Sequence, residues 1–422
     1  MTGPAIRYWE FAKALSKKHE VTLMVPNDCD ASSDDFTLIK RTASYHSYLK
    51  QMDVVITMSI SHSLAWAAKM NGVKLILDAY DPLPFELLEI HKEASLSHRE
   101  DVQSYITNAF NFSFRMADGI ICANENQKDL WMGLLLAQKQ ITPILYDRDV
   151  SLKNKINIVP FGLSSTLPVK NGPGPKALFN LKQTDKIVLW GGGIWNWFDP
   201  LTLIKAIDLI SKKRSDVHLV FMAVQPPKGA DITNMSMPAK AFNLAKELGL
   251  FNKHVFFNTE WIPYERRANF LLEADIGIST HFGHLETRYA FRTRILDYIW
   301  AGLPIISTEG DSFARLIREK EIGLTVPYED PEAMAQAILF ILDNPNAAAE
   351  MKKNTAAVSQ KFYWDEVVKP LEEMIACSLE KQSKLKSIQE ILLSVYRARG
   401  VLFPFKVLKN RLFQKLGLSK VT

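Results

Sequence analysis

The stretch that most constrains the fold is Thr280–Thr308, THFGHLETRYAFRTRILDYIWAGLPIIST. A polar, arginine-rich loop runs into apolar positions at helical spacing, Ile295, Leu296, Ile299 and Trp300, with Thr293 placed to cap the start. Gly302 stands where a left-handed C-terminal cap belongs, and Pro304 cannot continue a helix. Leu303–Ser307 is then a short β-branched run, as in a parallel strand covered on both faces. A helix start offers unpaired N–H groups and the positive end of a dipole, and Arg288, Arg292 and Arg294 crowd that point. Guanidinium forks match phosphate oxygens bidentately, so a phosphate-bearing ligand is the first expectation. The alternative is a surface arginine cluster on an ordinary helix.

The rest of the chain alternates in the same way. Tyr8, Phe11, Ala12 and Leu15 recur at helical spacing after the loop Gly3-Pro4, and HEVTLMVPN follows as a strand with a turn signal. Asp53–Met58, Lys74–Leu77 and Gly119–Ala123 read as further buried strands, with helical patterns at Ser63–Met70 and Leu83–Met116. This predicts a parallel sheet with helices on both faces, whose ligands sit at the carboxyl ends of the strands. At one such end, LILDAYDPLPFE carries Asp78 and Asp81, candidates for acceptor binding or proton acceptance, or else loop aspartates capping the next helix. Pro168–Pro175 (PVKNGPGP) is dense in turn formers and marks a linker. After it, the strand Lys186–Trp190 runs into Gly191-Gly192-Gly193, which brings backbone close to a ligand and supplies amides for a phosphate, or simply makes a tight turn.

Charge separates the tail from the body. Residues 381–422 hold ten Lys/Arg and one acid, a net +9 against +5 for the whole chain, so the remainder carries −4. The body is therefore not a nucleic-acid binder by charge. In the tail, Phe405, Leu408, Leu412 and Leu416 share a helical face apart from Lys406, Lys409, Arg411 and Lys415. That pattern suits a helix lying on an anionic membrane, or a terminal helix docked on the protein with a solvated basic face. The three cysteines, Cys29, Cys122 and Cys377, lack metal-ligand spacing. His281, His284 and Glu286 are spaced irregularly for a helix face. No metal is expected. No signal peptide or membrane-spanning run is recognised, so the expected location is cytoplasmic, with the tail a candidate peripheral contact on the inner membrane face.

LDYIWAGLPIIS resembles the donor-binding segment of GT-B glycosyltransferases, above all the retaining family-4 type. There, two glutamates separated by seven residues and a stretch ending G-[LV]-P-[VI]-[VI] bind the nucleotide sugar. Asp297 falls on the second glutamate, which holds the ribose hydroxyls in that family. Tyr289 replaces the first, and Glu286 lies three residues earlier as the substitute that touches the sugar. The resemblance also implies that the glycine loop faces the donor phosphates and that Trp261 covers the base, although Trp261 reads equally as a core residue. The Arg and Lys that many members carry downstream of the glycines are replaced by Trp195, Asn196, Trp197, Phe198 and Asp199, leaving Arg292 and Arg294 to supply that charge. A family histidine near Asp78 is absent. Members also place a strand before the Gly-Pro loop, so Met1 is expected to be internal to a longer protein.

The expectation is a two-lobed α/β protein of GT-B type, with two Rossmann-like doubly wound parallel sheets across a cleft. The lobes are residues 1–167 on the acceptor side and 176–360 for the nucleotide sugar, joined by 168–175. Residues 361–380 form a crossover helix and 381–422 the basic tail. The donor site comprises Gly191–Gly193, Trp261, Arg288, Arg292, Thr293, Arg294 and Asp297, with Asp78, Asp81 and Glu286 as catalytic candidates. The implied reaction is retaining sugar transfer to an acceptor hydroxyl, on a glycan or lipid-linked intermediate, without a cofactor. The rivals are a nucleotide-sugar epimerase of the same architecture and a non-catalytic binding protein. A dehydrogenase is disfavoured because no G-x-G-x-x-G follows a strand with an acid at the right distance.

Overall fold

The computed structural model describes residues 3–42, 45–223, 235–260, 262–377, 388–389 and 391–393. The second lobe is organised on one six-stranded sheet. Its strands are β7 (Lys186–Trp190), β8 (Val217–Phe221), β9 (Val255–Phe257), β10 (Ile276–Ser279), β11 (Ile305–Thr308) and β12 (Gly323–Val326). They lie in the order β12-β11-β10-β7-β8-β9, with every pairing parallel. The order reverses between β7 and β10, and a crevice opens beyond the carboxyl ends at such a switch point. β7, β8, β10 and β11 are wholly or almost wholly buried, as their uninterrupted apolar runs require.

The first lobe is built differently. Strands β3 (Val54–Thr57), β4 (Lys74–Asp78), β5 (Gly119–Cys122) and β6 (Ile156–Ile158) form one parallel sheet, while β1 (Thr22–Val25) and β2 (Thr37–Lys40) pair separately. Among the described residues no ladder joins the two pieces, and the central strand expected ahead of the Gly-Pro loop has no counterpart. β1 and β3 are apolar yet only half-buried, in contrast to β4 and β5. The helices that bear on the site are α1 (Gly3–Ser16), α2 (Leu83–Ile90) and α3 (Glu125–Ala137) in this lobe. In the second lobe they are α4 (Pro200–Ser211), α5 (Leu285–Tyr289) and α6 (Thr293–Trp300).

The chain returns to the first lobe through Phe362–Ala376. Leu163 N donates to Phe362 O at 2.7 Å and Trp364 N donates to Leu163 O at 3.1 Å. Trp364 rests against Phe11 and Phe161, and lies so close to Gly162 that a side chain there would overlap the indole. One apolar cluster therefore runs from Phe11, Ile76 and Ile121 through Trp364 to Leu189, Ile295 and Tyr298, so both lobes share a core. No described helix is long and apolar enough to cross a membrane. The tail face at Phe405, Leu408, Leu412 and Leu416, and Trp261, lie outside the described residues.

Candidate active site

A cavity of about 560 Å³ lies between the lobes at the switch point. From the second lobe it is lined by Gly191–Gly193, Trp195, Glu286 and the start of α6 from Arg292 to Asp297. From the first lobe it is lined by Gly3, Pro4, Asp81, Glu86, Leu87 and Ile90, among others.

The helix start differs in detail from the sequence expectation. Thr293 is the first helical residue rather than the cap; Arg292 occupies the cap position and makes no capping bond with its side chain. Gly302 has φ +66° and turns the chain toward β11 as expected. The three arginines part company. Arg288 is exposed, sits 5.6 Å from the Tyr289 ring and does not line the cavity. Arg292 is buried and forks onto Glu286, with both N–H···O distances 2.7 Å. Arg294 is buried without an acidic partner among the described residues. It donates through Nη2 to Gly193 O at 2.9 Å, while Nη1 is buried with no partner among the described residues. Its guanidinium lies 3.9 Å from the Phe198 ring centre and 4.6 Å from that of Trp190. Burial pushes its pKa down to about 10, which leaves it charged at neutral pH.

The glycine triplet is less uniform than it looks. Tyr298, on α6, projects into the switch point, where its hydroxyl accepts from Gly191 N at 2.7 Å and lies 2.7 Å from Ile278 O. A side chain on Gly277 would come within 2.4 Å of its ring, and one on Gly191 within 3.1 Å. Gly191 thus makes room for Tyr298, and its amide is spent on the phenol instead of reaching toward a phosphate. Only Gly192, at φ +81° and open to space, needs glycine for its backbone conformation. Gly193 O is held by both Trp190 Nε1 and Arg294. The amides of Gly192 and Gly193 have no protein acceptor among the described residues. They and Arg294 line the same cavity.

Asp297 and Thr293 both line the cavity. Asp297 Oδ1 accepts from Arg267 Nε at 2.9 Å, and Arg267 is itself stacked on Tyr264 and Trp300. Asp297 Oδ2 has no hydrogen bond to the described residues. Across the cleft Asp78 is not where it was expected. Its two oxygens take Arg7 Nε and Nη2 at 2.8 and 2.9 Å in a wholly buried pair, so it does not line the cavity. Asp81 does, and burial raises its pKa to about 7, with Asp78 and Glu286 adding to the rise. Glu86 is raised in the same way, by burial and then by Asp81 and Glu286. Of the three metal-like side chains, His281 is placed against Glu309 O, His284 caps α5 and Glu286 is taken by Arg292.

Sequence reasoning missed Arg7, Glu86 and Tyr298. Glu86 stands in the first turn of α2, eight residues past the end of β4, a signal within reach. Arg7 and Tyr298 look in sequence like ordinary helix residues.

Two parallel-sheet lobes facing across a cleft, with a crossover at the C-terminal side, define the GT-B fold. Residues 177–358, within the second lobe, match the family described as glycosyl transferases group 1. A D-inositol 3-phosphate glycosyltransferase from Acidothermus cellulolyticus is 29% identical over 155 residues, covering 37% of this chain. That alignment spans about a third, 32%, of the relative's length. Among solved structures, sucrose-phosphate synthase from Thermosynechococcus elongatus superposes with a TM-score of 0.61 at 17% identity, over 88% of this chain and 92% of its own. Anabaena HepE, solved with UDP and glucose, gives 0.61 at 12% identity over 89% and 96%. These likenesses establish the fold.

Proposed function

We propose that the chain is a glycosyltransferase that moves a sugar from a nucleoside-diphosphate donor to an acceptor hydroxyl in the inter-lobe cleft. One observation carries this reading: Arg294 is a buried cation with, among the described residues, an unpartnered nitrogen and no acid beside it, and it lines the cavity together with the glycine triplet. A buried charge without a partner is costly, and a site that keeps one is built for an anion that arrives later. The anion that fits is the diphosphate of the donor. As the anomeric C–O bond breaks, negative charge grows on the leaving diphosphate, and preorganised donors lower that barrier. The acceptor oxygen bonds to the anomeric carbon and its proton leaves through Asp81 or solvent.

Asp297 holds the ribose hydroxyls through Oδ2, and the Glu286–Arg292 pair bounds the sugar end of the cavity. The likeness to group 1 enzymes supports a retaining course, and HepE makes UDP the first nucleotide to try. The cavity wall of Leu87, Ile90, Trp195 and Trp197 is apolar, which suits an acceptor with a greasy carrier; the basic tail gives such an acceptor a membrane. Water excluded by lobe closure would otherwise hydrolyse the donor. The test is a thermal-shift panel of UDP, GDP, ADP and CDP on wild type and Arg294→Met. A rise in Tm for one nucleotide, lost in the variant, is the expected result; no rise with any nucleotide sinks the reading.

A further inference from the structure

Three consecutive carbonyls at the end of α5 are gripped by one turn of the first lobe. Arg288 O accepts from Asn126 Nδ2 at 2.9 Å, Tyr289 O from Gln127 Nε2 at 2.8 Å and Ala290 O from Asn124 Nδ2 at 3.3 Å. Carbonyls at a helix end have no partner within the helix, so amide side chains are apt to take them. Above them the Tyr289 ring stacks on Phe85 of α2 at 5.3 Å, which accounts for an aromatic residue at this position.

Gln127 does more than its neighbours. It is fully buried, and every polar atom of its side chain is used. Oε1 accepts from Ala123 N at 2.7 Å, and Nε2 donates to Tyr80 O at 2.6 Å as well as to Tyr289 O. Tyr80 precedes Asp81, and Tyr289 closes the short helix that bears Glu286. We propose that Gln127 is a positioning residue. Its one amide group ties the Asp81 loop of the first lobe to the Glu286 helix of the second and so sets the cleft in its closed geometry. This rests on the glycosyltransferase reading for its catalytic meaning, but not for its structural content. Parting the lobes strands a buried donor, so closure and the shape of the donor loop are one equilibrium.

The experiment is small-angle scattering of the full chain with and without UDP, alongside UDP titration, on wild type, Gln127→Met and Asn126→Ala. Methionine keeps the volume of Gln127 and removes its amide. Asn126 is only half-buried, so its variant tests the same grip should Gln127→Met fail to fold. The expected result is a larger radius of gyration for each folded, ligand-free variant than for wild type. UDP affinity should weaken about fivefold in Gln127→Met, equivalent to ~1 kcal/mol, and about twofold in Asn126→Ala. A merely structural role lowers Tm and leaves the scattering of the folded molecule unchanged. Wild-type scattering and affinity in every folded variant would overturn the proposal. If wild type itself binds none of UDP, GDP, ADP and CDP, the functional reading fails while the ligand-free scattering still decides the bridge.

Discussion

Arg7 in the first lobe and Arg294 in the second occupy matching surroundings. Each guanidinium is buried near the carboxyl end of a central strand, and each lies between two aromatic rings, Phe11 and Tyr80 for Arg7, Phe198 and Trp190 for Arg294. Their hydrogen bonds differ. Arg7 donates to both oxygens of Asp78 and to the carbonyls of Val159 and Pro160. Arg294 has one carbonyl and an idle nitrogen. Burial works against the charge of Arg7, but Asp78 more than offsets it and the pKa ends above its ordinary value; Arg294 lacks that compensation and falls. A saturated cation is a structural rivet, whereas the unsaturated one is, on the proposed function, the seat for the donor's diphosphate.

The comparison is broken most severely by Arg7→Met. It leaves Asp78 charged, buried and alone, a loss of about 3–5 kcal/mol, comparable with the whole stability of a small domain. Thermal unfolding and limited proteolysis of the first lobe should show it. Wild-type stability in this variant would mean that the pair is no rivet.

Arg294→Met should do the reverse. Removing an uncompensated buried cation leaves the ligand-free protein as stable as wild type or more so. Nucleotide affinity should fall about 10- to 100-fold, the worth of a charged hydrogen bond at ~1.5–3 kcal/mol. Titration calorimetry with the nucleotide selected by thermal shift checks it. Unchanged affinity would move the diphosphate away from this residue.

Tyr298→Phe sharpens the contrast by loosening the second lobe without touching a charge. The Gly191 amide loses its acceptor in a buried place, at about 1–3 kcal/mol. Tm should drop modestly and nucleotide affinity by a few-fold as the glycine loop relaxes. A drop in Tm with affinity untouched would separate the phenol from the site.

These contrasts mark the limit of what was legible beforehand. The second lobe announced itself because β7, β8, β10 and β11 are buried on both faces and read as continuous apolar runs around Gly302 and Pro304. β2 did not, since Thr37–Lys40 is a short strand with both ends exposed. The arginine crowd drew attention to the right place, but sequence could not sort Arg288, Arg292 and Arg294, because their fates depend on Glu286 folding back and on Gly193 O arriving from another strand. Asp78 looked as available as Asp81 because its partner, Arg7, is 71 residues away. Tyr289 looked like a lost glutamate; its ring and its carbonyl face the other lobe, a contact that no single-lobe pattern contains.

Asp78 and Asp81 themselves give the gentlest test. They lie three residues apart, one clasped by a guanidinium and the other facing the cleft. The folded state raises the Asp81 pKa to about 7, above the ordinary carboxylate value, so between about pH 4 and 7 the folded protein holds a proton that the unfolded chain has released. Stability must then fall as pH rises through that window. Asp311, raised to about 6 by burial despite Arg292, and Glu86 push the same way. Water in the cleft screens Asp81, so its share is on the order of 1 kcal/mol or less. Unfolding midpoints in denaturant at a series of pH values should show this decline in wild type and a shallower one in Asp81→Asn. An Asp81→Asn curve parallel to wild type would show that this carboxyl is ionised throughout, and with it the contrast between the clasped and the open aspartate would vanish.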